Sequence, residues 1–113
     1  MQMDFQPGRR PDQLVTVLSG DLDLYVAPAF AQAVTSRMDA GASRVVIDFG
    51  EVNYLDSSGV GALIRLLQKA KLLGGELRVA RLSGTPRKVL EMSNILSILK
   101  TVPDVETALQ GWT

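Results

Sequence analysis

Apolar and polar residues follow one another along the chain in patterns that predict strands first and helices afterwards. Residues 14–18, LVTVL, are aliphatic and β-branched and predict a strand, and residues 4–6 predict a shorter strand that pairs with it as a hairpin. Residues 44–49 have an unbroken apolar centre, which is typical of a strand buried on both faces. Residues 76–82 predict a further strand.

Helical spacing appears between these strands. Phe30, Val34 and Met38 recur every four residues, and Gly41 is expected to end their helix because glycine tolerates a positive φ. The longest helix is predicted at residues 57–73, where the apolar positions fall on one stripe: Val60, Leu63, Ile64, Leu67 and Ala70. Ala62, Leu66 and Leu73 are expected at the edge of that stripe, where they could extend an interface beyond the core.

The last third of the chain predicts shorter elements. Thr85 is expected to cap a helix that runs to about Met92, and Asp104 is expected to cap another that closes the chain. Residues 95–102 fit either a helix end or a strand. Trp112 belongs either to a tail that folds back or to a loose end.

The order of elements predicts an α/β fold. We expect one domain over residues 1–113, with a mixed sheet of four to five strands and about four helices packed against it. Residues 44–82 read as strand, helix and strand, which implies a parallel pair with a crossover connection. Asp48, at the end of its strand, is expected to be a turn or cap ligand.

Composition narrows the function classes. The 113 residues include no cysteine and no histidine, which excludes disulfides, zinc thiolates and a Ser-His-Asp triad. Twelve basic residues balance twelve acidic ones, which argues against direct nucleic-acid binding. No stretch approaches the roughly 20 apolar residues of a membrane span, and the first residues do not resemble a secretory signal. We therefore expect a cytoplasmic protein, with no cofactor or metal.

The candidate site is the polar start of the long helix. Asp56, Ser57 and Ser58 follow the most buried strand directly, and the carboxyl end of such a strand is where α/β proteins tend to place their sites. A plain helix cap on Asp56 or Ser57 would account for one of these side chains, but not for three. Gly59 and Gly61 lie in the opening turns at a cost of up to about 1 kcal/mol each, which close approach of a backbone or a partner would offset.

These residues carry a resemblance to a known family. The run VVIDFGEVNYLDSSGVG at residues 45–61 resembles the signature of anti-sigma factor antagonists of the STAS domain family. Residues 18–23, LSGDLD, resemble that family's early Gly-acid-Leu-Asp element, although Asp21 stands where glutamate is common. Residues 74–77 and 85–93 resemble its later landmarks, so the similarity covers residues 4–109.

The resemblance implies a phosphorylation switch. It makes Ser57 the residue that an anti-sigma factor serine kinase phosphorylates, and it implies a metal-dependent Ser/Thr phosphatase that removes the phosphate. It also implies that the unphosphorylated protein binds the anti-sigma factor and frees the sigma factor, with Asp23 in the contact. We expect the partner-binding surface to include Asp23, Asp56, Ser58, Gly59 and Gly61.

Two other functions fit the same residues. The first is a structural STAS subunit of a larger assembly, such as a stressosome-like scaffold or a lipid-transport complex, without a working phosphoswitch. The second is an enzyme with a serine nucleophile. Its Ser57 would need a base, but the chain has no histidine, and the lysines of the long helix are expected at its far end. We therefore expect no enzyme.

Overall fold

The hairpin predicted at the start of the chain is present and forms one edge of a five-stranded sheet. In the computed structural model, which describes residues 1–112, β1 (Gln2–Pro7) pairs antiparallel with β2 (Gln13–Leu22). β3 (Arg44–Leu55), β4 (Glu76–Ala80) and β5 (Lys100–Val102) follow in that order, each parallel to its neighbour. The last residue of the predicted domain, Thr113, lies outside the described residues.

Four α-helices accompany the sheet, and with it they confirm the expected α/β class. They are α1 (Ala27–Asp39), α2 (Ser57–Leu72), α3 (Gly84–Met92) and α4 (Val105–Gln110). The first three each connect one parallel strand to the next, while α4 follows the last strand. The ambiguous segment 95–102 holds both of its alternatives, because a short 3₁₀ helix (Leu96–Ile98) precedes β5. Among the described residues, no helix has the length and apolar character to cross a membrane.

The core lies on both faces of the sheet. Val45 and Ile47 belong to the main cluster, together with the buried side chains of α1 and α2. Val46 points the other way into a smaller cluster with Ala108 and Leu109 of α4. Because alternate residues of a strand face opposite sides, β3 is buried on both faces, as the sequence predicted.

Helix α2 buries a broader face than the predicted stripe. Ala62 and Leu66 were expected at the edge, but both are 0% exposed, so that expectation was wrong. Ile64, expected within the stripe, is only partly buried. The helix packs against α1 as well as the sheet, which buries a second row of side chains. Leu73, just beyond the helix, is exposed, as expected for an edge residue.

Strands β2 and β3 are longer than predicted and extend beyond their other neighbours. Pairing with β4 ends at Asp48, and pairing of β2 with β1 ends at Ser19, yet β2 and β3 stay paired as far as Leu22 and Leu55. We call residues 19–22 and 51–55 the ribbon tip. It was missed because its glycine, aspartate and asparagine residues are poor strand formers. The chain leaves the ribbon tip directly into α2.

The other end of the chain is tied to the sheet. Trp112 folds back, since its Nε1 donates to Glu76 Oε1 at 3.0 Å and Arg78 lies over its ring at 4.4 Å. Arg78 also donates to Glu76 and, at 2.7 Å, to the carbonyl of Ala108. We call Glu76, Arg78 and Trp112 the C-terminal clamp, because together they hold α4 on the sheet.

Two predicted helix caps have different outcomes. Asp104 caps α4, as expected, by accepting a hydrogen bond from Thr107 N at 2.7 Å. The expectation that Thr85 caps α3 was wrong: the helix begins one residue earlier, at Gly84, with Ser83 at the cap position and no side-chain cap bond. Gly84 has a φ of +61°, a conformation that glycine adopts readily, so the chain enters the helix before Thr85.

Candidate functional site

Asp56 organises the junction between the ribbon tip and α2. It is the cap residue of the helix, and its Oδ1 accepts hydrogen bonds from Ser58 N at 2.9 Å and Gly59 N at 3.2 Å. Its Oδ2 accepts a hydrogen bond at 3.1 Å from Leu24 N, in the turn that connects β2 with α1. One carboxylate therefore satisfies two free N–H groups of the helix and fixes a second segment beside it.

Ser57 is the first residue of α2 and is exposed. Its hydroxyl makes no hydrogen bond to any residue that the structure describes. Of the two residues that sequence reasoning considered as a plain cap, Asp56 performs that role and Ser57 does not. Ser58, the next residue, is half-buried. The side chain most available for chemistry at this end of the helix is therefore Ser57.

The two glycines of the first turns differ in their surroundings. Gly59 is buried, and a Cβ there would lie 2.3 Å from Leu55 Cδ1 and 2.8 Å from the carbonyl oxygen of Leu22. The close approach that Gly59 permits is thus to this chain's own strands. Gly61 is half-buried, and a Cβ there would meet no atom within 4 Å. Gly61 leaves open space beside the helix.

Asp23 lies in the turn that connects β2 with α1. Its Oδ1 accepts a hydrogen bond from Tyr25 N at 3.0 Å, and its carbonyl accepts from Val26 N and Ala27 N at 3.1 and 2.8 Å. The turn is joined to the start of α2 through the bond between Leu24 and Asp56. The structure therefore brings Asp23 and Asp56, which are 33 residues apart in the sequence, to one surface beside Ser57.

Sequence reasoning missed the exposed apolar side chains on the segments that lead to this surface. Leu24 is 61% exposed, Tyr25 is 90% exposed, and Tyr54, which pairs with Asp21 across the ribbon tip, is 45% exposed. Two large apolar residues inside a predicted connection were the signal that could have found Leu24 and Tyr25. Tyr54 was quoted as part of the motif, but its exposure depends on the ribbon tip.

Asp48 lies outside this surface and has a structural role. Its Oδ1 accepts a hydrogen bond from Gly50 N at 2.9 Å, so the expected turn ligand is confirmed. Arg81 adds two further bonds to the same carboxylate, at 2.8 and 3.0 Å. These hydrogen bonds to Asp48, with the charge of the carboxylate, raise the pKa of Arg81 above its usual value. Among the described residues, no cluster of acidic side chains is suited to hold a metal ion.

Comparison with known proteins identifies the family. The STAS domain model matches residues 4–108, which is most of the chain, and the chain therefore belongs to the STAS domain family. Its relatives include BtrV of Bordetella bronchiseptica, a proposed anti-sigma factor antagonist, which is 28% identical over 95 residues and covers 84% of this chain and 82% of its own. The anti-sigma-B factor antagonist of Bacillus subtilis is 27% identical over 94 residues, covering 83% and 82% of the two chains.

A solved structure has the same fold. The anti-sigma factor antagonist SpoIIAA in its unphosphorylated form superimposes with a TM-score of 0.81 over 94% of this chain and 92% of its own, at 20% identity. The phosphorylated form of the Bacillus protein SpoIIAA superimposes with a TM-score of 0.78 over 99% of this chain and all of its own, at 18% identity. Both likenesses establish the five-stranded mixed sheet with its helices as the STAS fold.

Proposed function

We propose that this protein is an anti-sigma factor antagonist, which binds an anti-sigma factor in its unphosphorylated form and thereby releases a sigma factor. The names of its relatives support the class of function. The observation that carries the proposal to particular residues is the exposed Ser57, free of any capping role, at the start of α2. The protein acts as a regulatory binding module in the cytoplasm, and not as an enzyme.

Ser57 is the phosphoacceptor in this proposal. The anti-sigma factor is itself the serine kinase, and a metal-dependent Ser/Thr phosphatase restores the unphosphorylated form. A kinase must bring ATP to the hydroxyl, and the exposed Ser57 is open to such an approach, whereas Ser58 is half-buried. SpoIIAA has been described in a phosphorylated form, which supports a phosphoprotein switch on this fold.

Phosphorylation is expected to act on the surface and leave the fold intact. A phosphate brings roughly −1.5 to −2 charges near neutral pH, and the N–H groups and positive dipole at a helix start stabilise an anion. Asp56 and Asp23 add negative charge near the same position. A bulky dianion there would be desolvated without a partner when another protein packs against Ser57 and over the open space at Gly61.

Serine-nucleophile catalysis is not part of the proposal. The chain contains no histidine, and the lysines of α2, Lys69 and Lys71, lie in the last turns of the helix. Among the described residues, no basic side chain forms a hydrogen bond with the Ser57 hydroxyl that would activate it.

Phosphopeptide mapping tests the assignment. The wild-type protein, Ser57→Ala and Ser58→Ala are incubated with ATP and each serine kinase of the anti-sigma class encoded in the same genome. We expect one kinase to modify the wild type and Ser58→Ala on Ser57, and to leave Ser57→Ala unmodified. Phosphate on Ser58, or no phosphate with a kinase that binds the protein, would reject Ser57 as the acceptor.

A further inference from the structure

Three large apolar side chains are exposed on the segments that lead to the candidate site. Leu24 and Tyr25 are exposed neighbours in the turn, and Tyr54 is exposed on β3, where it pairs with Asp21 shortly before the turn; we call these three the apolar cluster. Large side chains that stay exposed next to one another lose the free energy of burial, about 25 cal/mol per Å² of apolar surface. A contiguous exposed apolar patch marks an interaction site more often than an isolated residue does.

The apolar cluster is held in place before any partner arrives. Asp56 Oδ2 accepts a hydrogen bond from Leu24 N, while Asp23 Oδ1 accepts one from Tyr25 N. Two successive N–H groups of the turn are thus bound by carboxylates that belong to two different segments. Binding costs less free energy when the contacting segment is already ordered, so the turn presents Leu24 and Tyr25 in a form suited to docking.

The occupant of this surface follows from its continuity with Ser57. Leu24 N donates a hydrogen bond to Asp56, the residue that precedes Ser57, so Leu24 and its neighbour Tyr25 lie within the area that a protein engaging Ser57 must cover. A specific interface buries about 800 Å² on each partner, which is far more than one serine and its immediate neighbours offer. Asp21 is exposed beside the apolar cluster, and Asp23 keeps Oδ2 without a hydrogen-bond donor in the described chain.

We propose that Leu24 and Tyr25 are the apolar anchors by which the anti-sigma factor kinase docks on this protein, with Tyr54 completing the contact. The inference rests on the proposed function and adds the chemistry of the partner. The kinase presents an apolar recess that takes the Tyr25 ring, and a cationic side chain at the edge of that recess faces Asp23. Tyrosine is enriched among residues that dominate binding energy, because it buries a large rigid area with little loss of conformational freedom.

Leu72 provides a matched control. Its side chain is 84% exposed, close to the 90% of Tyr25, but it lies at the opposite end of α2. At about 1.5 Å per residue, the 16 residues of α2 place the two ends about 24 Å apart. Replacement of Leu72 therefore removes a similar exposed apolar side chain without touching the apolar cluster.

The experiment measures calorimetric affinity for each purified anti-sigma kinase of the genome with five proteins: wild type, Tyr25→Ser, Tyr25→Phe, Leu24→Ser and Leu72→Ser. We expect Tyr25→Ser and Leu24→Ser to bind about 10- to 100-fold more weakly than wild type. Tyr25→Phe, which keeps the ring, and Leu72→Ser are expected to bind within about threefold of wild type. All five should melt within a few degrees of one another, because the replaced side chains are exposed.

The outcomes separate this inference from the function on which it rests. If wild type binds a kinase and Tyr25→Ser and Leu24→Ser bind equally well, the anchors are wrong while the antagonist function stands. An equal loss in Leu72→Ser would also reject them, because the effect would not be local. If no anti-sigma kinase binds the wild type, the proposed function fails, and the inference fails with it.

Discussion

The start of α2 and the C-terminal clamp are both built around a carboxylate, but they use it differently. In the C-terminal clamp, Glu76 accepts from Arg78 and Trp112, so side chains bind one another and the cluster is closed. At the start of α2, Asp56 accepts only backbone N–H groups, which leaves Ser57 and Tyr25 exposed. The first arrangement stabilises the fold, while the second prepares a surface. Substitutions should therefore separate the two regions, with stability affected at one and binding at the other.

The largest stability effect is expected in the C-terminal clamp. Arg78→Met removes the donor to Ala108 O and leaves Glu76 with fewer partners. Loss of charge-assisted hydrogen bonds from a buried position costs about 2–3 kcal/mol. Urea unfolding should show this loss, while affinity for the anti-sigma kinase measured well below the melting temperature stays at the wild-type value. A loss of affinity in the folded variant would remove the contrast between the two regions.

Alanine substitutions at Gly59 and Gly61 of α2 should have the next largest effects on stability, and the two effects should have opposite signs. Gly59→Ala places a Cβ against Leu55 and the Leu22 carbonyl, and overpacking of this kind costs about 1–3 kcal/mol. Gly61→Ala meets no atom and should stabilise the helix by up to about 1 kcal/mol. Thermal melting compares them directly. Gly61→Ala should also weaken kinase binding if the partner packs over that open space, and unchanged binding would place the partner elsewhere.

Asp56 caps α2 at the candidate site, and Asp104 caps α4 beside the C-terminal clamp. Replacing each with alanine therefore makes the same chemical change in both regions. Asp56→Ala and Asp104→Ala each remove a helix cap, a loss of about 1 kcal/mol. Asp56→Ala should lose somewhat more, because Asp56 accepts hydrogen bonds from three backbone N–H groups and Asp104 from one. Only Asp56→Ala frees the turn that carries Leu24. Hydrogen exchange should therefore accelerate at the Leu24 amide in that variant alone, together with a loss of affinity. Equal affinity for the kinase in both variants would show that binding does not require the hydrogen bond between Leu24 and Asp56.

The smallest expected effect is the pH dependence of the C-terminal clamp. Burial alone would raise the pKa of Glu76, but hydrogen bonds from Arg78 and Trp112 and the charges of Arg78 and Lys100 lower it below the usual 4.5. A lowered pKa stabilises the fold above the unfolded value, and that stability is lost as the pH falls below 4.5 toward the folded value. The melting temperature should fall less steeply on acidification in Glu76→Gln than in wild type. Parallel curves would show that Glu76 carries no such linkage.

The sequence predicted the fold class and the strand–helix order because buried strands and helical stripes have distinct apolar periods. It also led to Asp56 and Ser57, since capping residues at the end of a buried strand are conspicuous. The sequence could not predict that Gly59 and Gly61 have different surroundings, because the surroundings depend on which atoms of the folded chain pack against each glycine. The ribbon tip was missed because its polar residues form strands only through the pairing of β2 with β3, and the exposure of Tyr54 depends on that pairing.

The central claim is that Ser57 controls binding without supporting the fold, and melting plus calorimetric binding of wild type, Ser57→Ala and Ser57→Asp tests it. The dipole at the helix start should stabilise the new carboxylate by about 0.3–1 kcal/mol, so Ser57→Asp is expected to melt at or slightly above wild type. Its affinity for the anti-sigma kinase should fall about tenfold to thousandfold, as an unpaired charge at an interface costs roughly 2–5 kcal/mol. Ser57→Ala should bind like wild type and escape phosphorylation. Tight binding by Ser57→Asp, or a loss of binding that follows only from unfolding, would contradict the account.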